Sequence, residues 1–113
     1  MKPGDVLLTN MPQADASPKA HPVLFLCRVP PFDDFLVCGI TTQLGNAIPD
    51  LDEIVSSSDV DFKASGLKAT SLIRTAYLAL LPAVRFKGRI GSVTEARHKR
   101  LLSALATFLH KAA

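Results

Sequence analysis

The chain has 113 residues, 48% of them hydrophobic and 20% charged, with two cysteines and a net charge of +3. That length holds one core, the composition excludes a disordered chain, and two cysteines exclude a disulfide scaffold. No apolar run approaches the roughly 20 residues of a membrane span, and MKPGDVLLTN lacks the apolar core of a signal peptide, so one cytosolic domain over residues 1–113 is expected.

Lys2-Pro3-Gly4-Asp5 reads as a turn and residues 6–9 as a short strand. Residues 10–20 carry two prolines and no apolar period, so they form the longest expected loop, placed to cover His21. Residues 23–29 and 35–40 are apolar and β-prone, and Pro30-Pro31-Phe32-Asp33-Asp34 between them has the composition of a tight connection. The pair predicts an antiparallel hairpin that sets His21 and Thr41-Thr42 at one end of the sheet. Folded about its middle, the hairpin also sets Cys27 nearly opposite Cys38, both expected as reduced thiols. With three scattered histidines and no further cysteines, no metal site is expected.

A strand is expected within residues 51–56, and a helical turn through residues 62–64 capped by Ser58 or Asp59 and stopped at Gly66. Strands follow at residues 70–74 and 77–81, then a basic segment at residues 86–91. Ser92-Val93-Thr94-Glu95 fits a capping box, and Leu101, Leu102, Leu105, Phe108 and Leu109 recur at helical spacing. Arg97, Lys99, Arg100 and Ser103 then fall on the opposite face, and His98 and His110 toward solvent. Strands followed by one amphipathic helix predict an α+β domain, a compact antiparallel sheet or barrel with the helix docked on it. Charge is uneven along this order. Ten of the basic residues lie from Lys63 onward against the single acid Glu95, and acids cluster from Asp33 to Asp61, an asymmetry that suits a polyanion or an acidic partner.

The ordered blocks GDVLL, HPVLFL, VCGITTQ, SGLKATSLIR and KGRIGSVTEARHKRLLSALATFL resemble the MazF/PemK toxins over nearly the whole chain. The resemblance implies an SH3-like β-barrel with a C-terminal helix, usually a homodimer. It also implies cleavage of single-stranded RNA without metal or other cofactor, through attack by the neighbouring 2′-hydroxyl, and inhibition by an antitoxin with an acidic tail. Position by position, the family's threonine falls on Thr41, its glutamine on Gln43 and its strand arginine on Arg74. Two positions depart from the pattern: His21 stands where the family commonly has a catalytic arginine, and Ala76 where some members have an aspartate.

The chemistry needs a proton acceptor for the 2′-hydroxyl, a donor for the leaving 5′-oxygen, and donors for the phosphorane's charge. Histidine exchanges protons near neutrality, so His21 can take over from the missing arginine. Arg74 would clamp the phosphate and Thr41 would donate to a non-bridging oxygen. Lys19, Arg28, Thr42 and Gln43 are the candidate RNA contacts. Phe32 and Tyr77 read either as base-stacking or as packing residues. Two other readings compete: a member that binds RNA or antitoxin without cleaving, and a toxin directed at gyrase, as in the related CcdB proteins.

Overall fold

The computed structural model describes residues 1–10 and 20–113. Its strands are β1 (Asp5–Thr9), β2 (His21–Val29), β3 (Asp34–Thr41), β4 (Glu53–Val55), β5 (Ser71–Leu81) and β6 (Phe86–Ser92), with helices α1 (Phe62–Ser65) and α2 (Glu95–Ala112). All pairings are antiparallel, in the order β4-β5-β3-β2-β1-β6. The α+β architecture is the expected one, but strand pairing does not close the barrel. β4 has only three residues, and α1, which follows it in the chain, packs against β6. Gly66 ends α1 in the left-handed conformation (φ 75°), against the Ile90 carbonyl, and a β-carbon at Gly91 would strike the backbone of Ala64 and Ser65. Two glycines thus let α1 touch the backbone of β6. Residues 70–74 and 77–81 belong to one strand, β5, interrupted by a bulge.

Alternation along the central strands feeds two cores. Val6, Leu24, Leu26, Cys38, Ile40 and Ile73 pack beneath α2 with Leu101 and Leu105. Leu7, Val23, Phe25, Phe35, Val37 and Phe86 form the other, where Phe25 stacks on Phe35 at 4.0 Å and Phe35 on Phe86 at 5.2 Å between centroids. Burial on both faces is why residues 23–27 read as an unbroken apolar run. The hairpin turns at residues 30–33, and the register set there, with Val29 opposite Asp34, puts Cys27 opposite Leu36; past a register shift between Phe25 and Cys27, Cys38 lies opposite Leu24. The two thiols are therefore not opposed, and both are free. Burial, helped by the charge of Asp52, pushes the Cys38 thiol up to about 12.

Helix α2 departs from expectation at its start. Ser92 ends β6 and its hydroxyl accepts from Arg89 (3.3 Å), while the cap is Thr94, whose Oγ1 accepts the Arg97 N–H at 3.2 Å. The shift has a cause: the Val93 N–H donates to the Gly4 carbonyl (2.9 Å), which keeps Ser92-Val93 on the sheet. Phe108 and Leu109 run past the core and stay exposed. His98 turns inward rather than outward, its Nε2–H donating to the Leu26 carbonyl at 2.9 Å.

Arg97 is also turned inward, only 7% exposed. Nε donates to Asp61 Oδ2 (2.8 Å), Nη2 to Asp61 Oδ1 (3.1 Å) and Asp59 Oδ2 (3.1 Å), and Nη1 to Glu53 Oε1 (2.9 Å) and the Ile54 carbonyl (3.3 Å). Arg100 takes both oxygens of Glu53, at 3.0 and 3.1 Å. Three acids of the cluster, Glu53, Asp59 and Asp61, are thus spent on two helix arginines. Among the described residues, no helix is long and apolar enough to cross a membrane.

The hydrogen bonds from Arg97 hold the Asp61 carboxyl below its ordinary value. That stabilisation is present above the unfolded carboxylate pKa of about 3.9 and fades as pH falls through the lower folded value. Arg97→Ala takes the ion-pair partner from the buried Asp61 carboxylate and is expected to cost about 3–5 kcal/mol in urea unfolding, with a shallower loss of stability in acid than the parent shows. Cys38, being buried, should resist thiol reagents at pH 8 until denaturant is added, as mass spectrometry of the labelled protein would show.

Candidate nucleic-acid interface

His21 opens β2 because Pro22 favours extended backbone before it, and Thr41 closes β3. The β2–β3 ladder pairs Val23 with Gly39; two further steps in the same register bring His21 alongside Thr41. His21 itself pairs with Thr9 of β1, and Gly39 pairs on its other side with Arg74 of β5. Paired residues share a face and alternate residues return to it. Thr9, His21, Thr41 and Arg74 therefore lie on one face, that of the Phe25–Phe35–Phe86 core. The chain brings the three candidate catalytic residues to one polar rim above an apolar floor.

The groups on this rim differ in what they offer. The Thr41 Oγ1 accepts the Gln43 N–H (3.1 Å), a turn just past the strand that leaves the hydroxyl proton free to donate. Thr42 and Gln43 follow as exposed residues at the same end. His21 is half-buried, and its Nε2 is covered and has no hydrogen-bond partner among the described residues. An unpaired buried ring nitrogen costs free energy, as groups kept for chemistry often do. Arg74 is exposed and makes no ion pair among the described residues; its guanidinium carbon sits 5.2 Å from the centre of the Tyr77 ring.

Arg28 is not part of this rim. It stands seven residues along β2, about 23 Å away at strand rise. There Nε pairs with Asp33 (3.2 Å), Nη2 donates to the Met1 carbonyl (2.8 Å), and the guanidinium lies 5.4 Å from the Phe25 and Phe35 rings. The turn that reverses the hairpin holds it. Lys19, and all of the expected covering loop except Asn10 and Ala20, fall outside the described residues.

Two neighbours complete the rim: Thr9, which escaped the sequence reading, and Tyr77, which entered it only as a stacking or packing residue. Thr9, buried, donates through Oγ1 to the Arg85 carbonyl (3.1 Å), which ties the turn carrying exposed Arg85 beside His21. Tyr77 lies against Gly39, where a β-carbon would come within 2.5 Å of the ring. A lone glycine in an otherwise apolar strand was the available signal of that close approach. A separate groove between residues 50–53 and α2 is lined by Asp52, Glu53, Lys99, Arg100 and Ser103. Its cations are already paired, Arg100 with Glu53 and Lys99 with Glu95, so it offers a polyanion little.

No protein-family profile matches the chain, and no curated protein matches it. Solved structures do. The Mycobacterium tuberculosis toxin MazF-mt6 superposes with a TM-score of 0.65 at 22% identity, over 91% of this chain and 93% of the other. The fold is that of the MazF toxins. An endoribonuclease from a mycobacterial species, solved in complex with its cognate antitoxin, gives a TM-score of 0.67 at 22% identity over 97% and 95%. Against the MazF fold the departures gain a location. His21 occupies the rim, and Ala76 sits exposed in the β5 bulge, where no β3 residue pairs with it.

Because the Thr41 hydroxyl both accepts from Gln43 and remains a donor, Thr41→Val should leave the strand intact while loosening the turn after it. Amide exchange at Gln43 is expected to rise with little change in melting temperature.

Proposed function

We propose that the chain is a MazF-type toxin that cleaves single-stranded RNA without a metal cofactor, in the cytosol. The observation that carries the reading is the convergence of His21, Thr41 and Arg74, which makes no ion pair among the described residues, on one face of a MazF-fold sheet. The 2′-oxygen attacks phosphorus and the bond to the 5′-oxygen breaks, giving a 2′,3′-cyclic phosphate and a 5′-hydroxyl. His21 serves one of the two proton transfers and water the other. Arg74 neutralises the non-bridging oxygens through its planar fork, and Thr41 donates to one of them. Thr42 and Gln43 extend the contact past the end of β3. In this reading the catalytic burden falls on His21, Thr41 and Arg74.

An antitoxin with an acidic tail is the expected inhibitor, since carboxylates would compete with phosphates for the same unpaired arginine. A second copy of the chain is the expected partner in a homodimer, to be read as solution mass by light scattering. The covered His21 Nε2 favours a second reading, in which the rim binds RNA without cutting it.

Cleavage of mixed-sequence RNA in the presence of chelator separates the two. On the catalytic reading, Arg74→Ala lowers the rate by about 10²–10³-fold and His21→Ala by about 10²–10⁴-fold, with cyclic phosphate ends. Arg28→Ala, far from the rim, changes it less than about twofold. Salt-dependent binding with no products supports the second reading, and cleavage untouched by both rim variants contradicts the assignment.

A further inference from the structure

The β3–β5 ladder skips at the rim. Cys38 pairs with Leu78, but the next residue, Gly39, pairs with Arg74, so Thr75, Ala76 and Tyr77 arch out as extra residues on β5. The arch is pinned on one side. Thr75, fully buried, donates its N–H to Asp52 Oδ1 (3.1 Å) and its hydroxyl to the Leu51 carbonyl (2.9 Å). On the other side the Tyr77 ring rests on Gly39, in space that any side chain at that position would fill. Fixed there, the ring lies beside the Arg74 guanidinium, 5.2 Å from centroid to carbon.

We infer that Tyr77, seated on Gly39, is the positioning residue for Arg74, holding the guanidinium by its face so that its N–H edges stay open to a phosphodiester. An arginine on an exposed strand has four rotatable side-chain bonds, and fixing them opposes the binding of an anion. Arg74 has no carboxylate to hold it among the described residues, so the aromatic contact is what orders it beforehand. A cation–π contact uses the flat face of the guanidinium and leaves its in-plane donors unspent. Those donors are the ones a pair of non-bridging phosphate oxygens takes. The role rests on the RNA-cleaving reading above, and Tyr77 need not touch RNA to fill it.

The test has one arm without RNA and one with it. In the free protein the Arg74 Nε–H proton should be displaced by the ring current of Tyr77. The displacement should survive in Tyr77→Phe and vanish in Tyr77→Leu and in Gly39→Ala, which moves the ring while keeping both side chains. In the second arm, with mixed-sequence single-stranded RNA, Tyr77→Leu should weaken binding or cleavage about 3- to 30-fold and Tyr77→Phe should restore it. Tyr77→Leu should add nothing once Arg74→Ala is in place. An Arg74 proton that ignores all three variants overturns the inference, as does a full Tyr77→Leu penalty persisting in the Arg74→Ala background, the mark of direct base stacking. A ring-shifted Arg74 in a protein that neither binds nor cuts RNA upholds the placement and fails the functional reading instead.

Discussion

The buried guanidinium of Arg97 is the interaction on which the arrangement depends. It sits in the first turn of α2 and reaches Asp61 with two donors, Asp59 and Glu53 with others, and the backbone of β4 at Ile54. One side chain thereby joins the C-terminal helix to the shortest strand and to the turn that leads into α1. The sheet is open where β4 and β6 would have to meet, so these bonds, with the glycine contacts of α1, hold the seam that pairing leaves unmade. Taking so many charges out of water is costly, and only near-complete satisfaction of the donors makes the cluster tolerable. It gives specificity of assembly: α2 docks in one register or leaves carboxylates stranded.

That anchoring frees the other face of the sheet for a different use. With α2 and its acids engaged on the first core, the second core carries a rim in which Thr9, His21, Thr41 and Arg74 follow one another across four strands. The internal pairing of Arg97, Arg100, Arg89 and Lys99 removes much of the positive excess that the second half of the chain shows on paper. Among the described residues, what remains near the rim is Arg74, together with Arg85 on the turn tied to Thr9. Cation placement, more than net charge, therefore marks the interface.

Local signals carried the hairpin, the glycine stop of α1 and the helical stripe of Leu101 and Leu105, because each depends on residues adjacent in sequence or one helical turn apart. The errors share a cause. Arg97 looked like a solvent-facing charge because helical spacing says nothing of a carboxylate 36 residues away. The serine of SVTE lost the cap to Thr94 because a backbone bond to Gly4 kept it on the sheet. Cys27 and Cys38 missed each other because the turn at residues 30–33 set another register than a fold about the middle implies, and Tyr77 reached Gly39 through a bulge, which shifts register without a reliable mark in composition. Arg28, close in sequence to His21, was carried to the far end by the length of β2. Of the rim, the nearness of His21 to Thr41 was legible because both sit at hairpin ends; Thr9 was missed, and Arg74 came only from the family resemblance.

The most direct measurement is a map of backbone amide shifts as a single-stranded RNA with 2′-deoxy substitutions, which the proposed chemistry cannot cut, is titrated in. The account predicts perturbations concentrated at Thr9, His21, Thr41 and Arg74, lost as salt rises. Perturbations confined to the groove of Asp52, Lys99 and Ser103, with the rim silent, would contradict it.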